Sequence, residues 1–358
     1  MTGTSPSWDA DAFRAAIQSA LDSFVYEQAV SLRLLGEDAA RLLEAAHGSV
    51  SGGKRFRAAF CFWGYRAVRD EPADEPALLR AAAALELLHA SALVHDDLMD
   101  SSDTRRGRPA PHRAFEALHQ EQGWSGDPGQ YGAAAAILLG DLLLCWSDEL
   151  LRRCGLPEDR VTEALGFFDT TRGEVITGQF LDVSVQARGA GDVEQAMRVL
   201  RYKSAKYSVE RPLHVGAALA GAGPDVLAAL TRFGLPLGEA FQLRDDLLGV
   251  FGDPEVTGKP AGDDLTEGKR TVLVALTLER AADRDAKRLD EALGGRLSDA
   301  EVADLRAVIE GCGAAAEVER RIQALTEQGL AALDEAPVTA GARRELRSLA
   351  TAATQRAI

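Results

Sequence analysis

The stretch from Ala77 to Asp100, ALLRAAAALELLHASALVHDDLMD, decides the fold. Its apolar residues recur at spacings of three and four, and they cover nearly the whole circumference of a helix. A helix that faces water keeps a polar side, so this pattern indicates a helix buried at the centre of a bundle. The stretch ends in Asp96, Asp97 and Asp100, which puts three carboxylates at one end of that helix.

Three other long segments share this apolar helical spacing: residues 16–35, 133–153 and 223–252. Clusters of Gly, Pro and Asp between the segments predict loops, and alternating runs of β-branched and aromatic residues are absent. The sequence therefore predicts an all-α fold, a single large helical bundle with a central cavity. We expect one domain over residues 1–358, with an N-terminal helical segment at 1–32.

The charge balance excludes several functions. The 358 residues carry 40 Lys and Arg against 55 Asp and Glu, a formal charge of −15. Such a chain is not expected to bind nucleic acid or an anionic membrane.

Its four cysteines are far apart, so neither a disulfide framework nor a zinc site is predicted. With no signal-like N-terminus and no uninterrupted apolar span, we expect a cytoplasmic protein without a stable membrane span.

The first acidic cluster predicts a metal site. Four residues along a helix advance about 400°, so Asp96 and Asp100 project within about 40° of each other. Two carboxylates about 4 Å apart repel by roughly 4 kcal/mol at an effective dielectric near 20, and the helix dipole adds negative charge at this end. A divalent cation relieves that repulsion.

A second acidic pair, Asp245 and Asp246, ends another long apolar helix. Two such helix ends can face each other across a cavity. Carboxylates without His or Cys suit Mg²⁺, which usually takes a few carboxylates together with waters and phosphate oxygens of a substrate. The sequence therefore predicts a magnesium site and a phosphorylated substrate.

Local basic clusters support a phosphorylated substrate. One precedes and begins a helix, at residues 54–57, and the other follows the first acidic cluster, at residues 105–108. Arginine offers a planar fork to phosphate oxygens, and lysine a point charge. Two basic clusters beside one metal site indicate two phosphorylated substrates, one on the metal and one held by side chains.

Eight motifs in order resemble the trans-isoprenyl diphosphate synthases of the polyprenyl synthetase family, most closely a bacterial geranylgeranyl diphosphate synthase. The resemblance runs from about residue 33 to 358 and implies the isoprenoid synthase type I fold. The motifs are GGKRFR (52–57), ELLH (86–89), DDLMDSSDTRRG (96–107), GQFLD (178–182), YKSAKY (202–207), FQLRDD (241–246), GDPEVTGKPAGDDL (252–265) and EGKRT (267–271).

The resemblance implies a role for each matching residue. The Mg²⁺ ligands would be Asp96, Asp100 and Asp245, with Asp97 and Asp246 as further candidates. The allylic diphosphate would be held by Arg105, Lys203, Ser204, Gln242, Lys259 and Lys269. Isopentenyl diphosphate would be held by Lys54, Arg57, His89 and Arg106. Gln179 and Asp182 would line the pocket between the substrates. The catalytic set would be Lys203, Ser204, Asp96, Asp100, Asp245 and Arg105.

The implied activity is a transferase reaction of isoprenoid biosynthesis. Isopentenyl diphosphate attacks the cation left when an allylic diphosphate loses its diphosphate, and the released diphosphate takes the final proton. Mg²⁺ and basic side chains would stabilise the departing charge, and a dry apolar cavity would protect the cation. The resemblance also implies a homodimer.

The helix that carries Asp96 predicts the product length. The tail should run back along it by about 5.4 Å per turn, past the small Ser91 and Ala92 to Leu88. This arrangement predicts geranylgeranyl diphosphate (C20), made from dimethylallyl, geranyl or farnesyl diphosphate. A product of C25 or more is the alternative if another helix sets the limit.

One departure from the family pattern bears on activity. The second aspartate motif usually ends in Asp, whereas position 249 is glycine. We expect Asp245 to suffice, with Asp246 or Asp263 assisting through water. Two other classes remain open: a class I terpene cyclase, which binds a single diphosphate, and a noncatalytic partner subunit of a synthase, which would be expected to lose the metal aspartates.

Overall fold

A computed structural model of the chain describes residues 8–189, 191–252 and 262–355. The described residues are mostly helical, which confirms the all-α prediction. The helices are α1 (Ala10–Leu32), a 3₁₀ turn (Arg33–Leu35), α2 (Glu37–Ser49), α3 (Phe56–Val68), α4 (Glu75–Met99), α5 (Pro111–Gln122), α6 (Pro128–Arg152), α7 (Glu158–Arg188), α8 (Val193–Leu200), a π-helical segment (Arg201–Glu210), α9 (Arg211–Leu219), α10 (Pro224–Phe251), α11 (Asp263–Thr266), α12 (Val272–Arg280), α13 (Asp283–Ala292), α14 (Asp299–Gly311), α15 (Ala314–Glu335) and α16 (Ala340–Thr354).

Helix α4 forms the centre of the bundle, as its apolar pattern predicts. Its N-terminus is capped by Asp74, whose carboxylate accepts a hydrogen bond from the backbone N–H of Ala77 at 2.8 Å. By length and composition α4 could cross a membrane, yet 72% of its most apolar window is buried inside the protein. It packs against α1, α3 and α6. The buried helix carries its aspartates to the edge of a cavity.

Two glycines let α3 and α9 cross at backbone contact. A Cβ built on Gly216 would lie 1.8 Å from the carbonyl oxygen of Cys61, and a Cβ on Gly64 would lie 2.4 Å from that of Leu213. No side chain fits at either position. This crossing fixes α3, which carries Arg57 in its first turn, against the helix that continues from the π-helical segment.

The π-helical segment joins α8 and α9 into one continuous helix. The backbone N–H of Arg211 bonds the carbonyl of Lys206, five residues earlier. Such widened turns are rare and are frequently found at functional sites. The segment packs between α7 and α10 and carries Lys203 and Ser204.

A small β-hairpin lies within the region after α4 that is predicted to be a loop. Strand β1 (Thr104–Arg105) pairs with β2 (Arg108–Pro109) in an antiparallel register. The two residues between the strands, Arg106 and Gly107, have φ of 53° and 72°. Positive φ at both central positions is the pattern of a type I′ turn, the usual two-residue hairpin connection. The hairpin fixes the backbone positions of Arg105 and Arg106.

The buried His214 predicts a pH-dependent stability. Arg211 donates to its Nδ1 at 3.3 Å, so Nε2 carries the hydrogen that faces the Thr231 hydroxyl at 3.0 Å. Burial, reinforced by Arg211, lowers the pKa of His214 from 6.5 to about 4. The unfolded chain therefore binds a proton at His214 below about pH 6.5, whereas the folded protein binds this proton only below about pH 4. His214 should thus cost the fold about 2 kcal/mol between pH 7 and pH 5.

Denaturant unfolding at these two pH values tests this prediction. His214→Gln should lose less stability on acidification than the wild type, whatever its stability at pH 7. His47→Gln serves as the control, because the His47 side chain is 53% exposed. Equal losses in the wild type and His214→Gln would contradict the assignment.

Candidate active site

One cavity of about 1180 Å³ gathers most of the predicted site residues. Its walls come from α4, α6, α7, the π-helical segment and α10, with contributions from the hairpin and the start of α3. The predicted residues that line it are Lys54, Arg57, Leu88, His89, Ser91, Ala92, Asp96, Arg105, Arg106, Gln179, Asp182, Lys203, Ser204, Gln242, Asp245, Asp246 and Lys269. Lys259 lies outside the described residues.

Asp96 is held by two cavity side chains. The ammonium of Lys203 lies 3.1 Å from its Oδ1, and the Gln179 amide donates to the same oxygen at 2.8 Å. Lys203 also contacts Asp182 at 2.6 Å. Burial alone would raise the pKa of Asp96, but Lys203 and the other nearby cations outweigh it and lower the pKa to about 2. Asp96 is therefore ionised across the physiological range.

Asp100 shares its surroundings with Lys269. The Lys269 ammonium lies 3.4 Å from Asp100 and 3.4 Å from Asp264, and it also contacts Glu267. Burial, with repulsion from Asp96, raises the pKa of Asp100 to about 6 despite this ammonium. Lys269 thus acts as an internal counter-ion among carboxylates.

Asp97 pairs with an arginine, whereas Asp96 and Asp100 contact lysines. Its carboxylate is 1% exposed and accepts from Nε of Arg105 at 2.9 Å, with a second contact to Nη2. The pair joins the end of α4 to the hairpin. The structure therefore places Asp97 against Arg105, while Arg105 itself also lines the cavity.

The second aspartate motif stands across the cavity on α10. Asp245 is exposed toward the cavity, and Asp246 is buried, accepting from the Gln242 amide at 2.9 Å. Burial, together with repulsion from Asp264 and Asp245, raises the pKa of Asp246 to about 8, although the Gln242 bond opposes this. A carboxyl with this pKa keeps its proton near neutrality unless further positive charge arrives.

The donor chemistry of the two motifs fits magnesium. Over residues 8–189, 191–252 and 262–355, no three His, Cys, Asp or Glu side chains are grouped to hold an ion by themselves. Mg²⁺ does not need such a cage, because it commonly binds through one or two carboxylates and completes its shell with water and phosphate oxygens. Asp96, Asp100 and Asp245 offer only oxygen donors, which this ion prefers.

A basic cluster lies at the start of α3. The Arg57 guanidinium sits 4.2 Å from the centre of the Tyr207 ring and donates to Ser208 at 2.7 Å. Its buried Nε has no hydrogen-bond partner in the described part of the chain. Tyr207 contacts Nδ1 of His89 at 3.1 Å, and burial, followed by repulsion from Arg57, lowers the pKa of His89 well below its usual value. The cluster offers positive charge and unused donor capacity to an anion.

Arg106 reaches the same region because residue 53 is glycine. Gly53 has a φ of +97°, and a Cβ built on it would lie 2.9 Å from Nη2 of Arg106. Nη1 of Arg106 donates to the carbonyl of Ser51 at 2.9 Å. The GGKR sequence thus makes space for an arginine that comes from the hairpin.

Arg55 is part of the supporting structure. It is 5% exposed and contacts Glu86 at 3.3 Å, while Glu86 also accepts from the backbone N–H of Ala58 at 3.1 Å. Glu86 therefore provides the hydrogen-bond acceptor for a backbone N–H group in the first turn of α3. Lys54, by contrast, is exposed at the cavity rim.

Several cavity residues carry no assignment from the sequence. Tyr207 stands four residues after Lys203 in YKSAKY, and this spacing could have identified it. Asp264 lies against position 249 of the second aspartate motif, whereas the sequence predicts Asp263 as the assisting carboxylate. Leu144 on α6 and Val175 on α7 line the cavity together with Leu88.

The comparisons with known proteins agree with this geometry. Residues 39–310 match the sequence model of the Polyprenyl synthetase family. The chain is 35% identical over 254 residues to the short chain isoprenyl diphosphate synthase of Methanothermobacter thermautotrophicus, covering 71% of this chain and 72% of that one. It is 30% identical over 327 residues to the geranylfarnesyl diphosphate synthase of Natronomonas pharaonis, covering 87% and 89%.

A solved structure extends the similarity to the whole fold. It is the geranylgeranyl pyrophosphate synthase from Corynebacterium glutamicum, complexed with isoprenyl diphosphate and magnesium. The TM-score is 0.95 at 41% identity, with 98% of this chain and 100% of that chain covered. The chain therefore belongs to the polyprenyl synthetase family, as a trans-prenyltransferase of the short-chain type.

Proposed function

We propose that this enzyme condenses isopentenyl diphosphate head to tail with dimethylallyl, geranyl or farnesyl diphosphate, and that its main product is geranylgeranyl diphosphate. One observation carries the proposal: a single cavity holds two separate sets of groups for diphosphates. Asp96 on α4 and Asp245 on α10 belong to one set, and Arg57 on α3 and Arg106 on the hairpin belong to the other. An apolar pocket that can accept a prenyl tail lies along α4.

The allylic diphosphate would bind at the aspartate motifs. Magnesium held by Asp96, Asp100 and Asp245 would supply positive charge to the departing diphosphate. Lys203 and Lys269, now paired with carboxylates, would turn their ammonium groups to the same oxygens, and Arg105 would stand beside them. Ser204, Gln242 and Lys259 complete the proposed set. Asp97 has the narrower role of positioning Arg105.

Isopentenyl diphosphate would bind at the basic cluster. Arg57, with its unpartnered Nε, would provide the half-buried contact, and the exposed Arg106 and Lys54 would contribute from the rim. His89 would donate as a neutral imidazole. Gln179 and Asp182 would keep Asp96 and Lys203 oriented between the two substrates.

The floor of the apolar pocket predicts how product length changes. Ser91 is 3% exposed and Leu88 is 2% exposed, and both line the cavity below Asp96. Ser91→Phe should fill the pocket one turn from the metals and shift the main product to C15. Leu88→Ala should remove the floor and add at least one five-carbon unit. Chromatography of dephosphorylated products measures both changes.

Leu87→Ala is the matched control for this pair. Leu87 is equally buried on α4 but does not line the cavity, so its truncation should leave product length unchanged. Unchanged products in both Ser91→Phe and Leu88→Ala would show that α6 or α7 sets the limit. A wild-type product of C25 or more would keep the reaction and remove Leu88 as the floor.

We also propose that the chain is a single domain and forms a cytoplasmic, magnesium-dependent homodimer. Ile17 and Leu21 of α1 are fully buried in the same apolar core as α4, which supports one domain. Ile137 and Leu138 on α6 are 49% and 60% exposed, and such apolar surface favours a subunit interface. Light scattering of the purified protein tests the dimer.

Incubation with labelled isopentenyl diphosphate and each allylic primer in turn tests the reaction. With magnesium we expect a dominant C20 product, and with EDTA we expect no incorporation. A terpene cyclase would instead convert geranylgeranyl diphosphate alone to a hydrocarbon. A noncatalytic subunit would incorporate nothing with any primer.

A further inference from the structure

The second aspartate motif contains an unusual contact at Gly249. This glycine lies one helical turn after Asp245 on α10, so the two positions share a face. A Cβ built on Gly249 would lie 1.9 Å from Oδ2 of Asp264 and 2.4 Å from its Cγ. The Asp264 carboxylate therefore occupies the space that a side chain at position 249 would need.

Asp264 is fixed in that space by its short helix. Leu265, the next residue, is fully buried in the apolar core that contains Leu247 and Val250 of α10. The carbonyl of Leu265 accepts from the backbone N–H of Gly294 at 3.0 Å. The segment that carries Asp264 is therefore anchored on both its apolar and its polar side.

The position of Asp264 connects the two aspartate motifs. It lines the same cavity as Asp245 and Asp246. The Lys269 ammonium lies 3.4 Å from Asp264 and 3.4 Å from Asp100. One cationic side chain therefore bridges Asp264 to the first aspartate motif.

We propose that Asp264 supplies the last carboxylate of the second aspartate motif, and that Gly249 is the position without a side chain that admits it. This inference rests on the proposed function, because it assigns Asp264 to the magnesium site beside Asp245. Glycine at 249 is then a requirement of the site. The carboxylate of Asp264 on α11 then replaces a carboxylate at position 249 of α10.

Metal binding can be measured apart from turnover. Free Mn²⁺, detected by electron paramagnetic resonance, reports binding to the full chain in the presence of inorganic diphosphate, once the Mn²⁺ bound by diphosphate alone is subtracted from a protein-free titration. Asp264→Asn should weaken Mn²⁺ binding by about 10- to 100-fold. Gly249→Ala should weaken it similarly, because the added methyl must displace the carboxylate. Alanine favours helix more than glycine does, so this loss cannot come from a weaker α10.

A double variant tests whether a carboxylate at position 249 can replace Asp264 in Mn²⁺ binding. Asp264→Ala alone and Gly249→Asp alone should both bind Mn²⁺ weakly, the second because two carboxylates compete for one space. Gly249→Asp combined with Asp264→Ala should restore affinity to within about threefold of the wild type. Asp304→Asn, a surface carboxylate 62% exposed, is the control and should bind as the wild type does. Melting curves confirm that each variant is folded.

Two results would overturn the inference. One is wild-type Mn²⁺ affinity in Asp264→Asn, and the other is a double variant that binds no better than Asp264→Ala. The second result is expected if Asp264 serves only as a partner of Lys269. Either result in an enzyme that still forms prenyl products defeats this inference alone. Absence of prenyl products from the wild type defeats the proposed function, and absence of wild-type Mn²⁺ binding defeats both.

Discussion

Asp96→Asn is expected to lower the rate of prenyl transfer by about a thousandfold, which corresponds to about 4 kcal/mol in the barrier. Asparagine keeps the size of the side chain and can still accept from Gln179, which now donates to Asp96 at 2.8 Å. It lacks the negative charge that would hold magnesium and that now orients Lys203 at 3.1 Å. The loss should therefore appear in kcat with little change in folding.

The control for Asp96→Asn lies in the same cavity. Asp141 on α6 lines the cavity with its side chain 61% exposed, and it belongs to neither aspartate motif. Asp141→Asn should keep kcat within about threefold of the wild type. If Asp96→Asn stayed within tenfold of wild-type kcat at saturating magnesium, the first aspartate motif would not be the metal site.

Gly216→Ala is expected to destabilise the protein by about 3 kcal/mol or to prevent folding. Its methyl group would meet the carbonyl oxygen of Cys61 at 1.8 Å, and both atoms belong to helix backbones that cannot move independently. Overpacking of this kind typically costs about 1–3 kcal/mol and sometimes more. Urea unfolding, or the soluble yield where the variant does not fold, measures the effect.

Gly166→Ala is the matched control for Gly216→Ala. Gly166 is also a helical glycine, on α7, and a Cβ built there meets nothing within 4 Å. That change should stabilise the protein by up to about 1 kcal/mol through helix propensity. Similar effects of the two substitutions would contradict the close crossing of α3 and α9, and with it the account of how Arg57 is positioned.

The central helix could be predicted from the sequence because burial imposes a pattern on every turn. The apolar run from Ala77 to Asp100 corresponds to α4 (Glu75–Met99) within two residues at either end. The pairing of Asp96 with Asp100 also follows from helix geometry alone. These features depend on residues a few positions apart, where spacing fixes geometry.

The parts that the sequence did not predict depend on contacts between distant residues. The π-helical segment is only 10 residues long, too short to establish a periodic signal of its own in the sequence. The hairpin at 104–109 is too short for an alternating pattern. Asp264 and Gly249 meet only through the packing of α11 on α10, so the sequence could not separate Asp264 from Asp263.

The pairing of charged side chains within the cavity could not be predicted from the sequence either. The resemblance places Lys203 and Lys269 at a diphosphate, and the structure pairs them with Asp182 and Glu267 as well as with Asp96 and Asp100. Asp97 was a candidate metal ligand, and its position against Arg105 shows how the end of α4 is joined to the hairpin. Such pairings follow from the three-dimensional arrangement of charges.

The stoichiometry of diphosphate release tests the proposed two-substrate reaction. Purified enzyme with magnesium is given farnesyl diphosphate, with and without isopentenyl diphosphate, and released diphosphate is counted against labelled carbon incorporated. We expect one diphosphate to be released for each isopentenyl unit added, and negligible release from farnesyl diphosphate alone. Diphosphate release that does not require isopentenyl diphosphate would contradict a two-substrate prenyl transfer in this cavity.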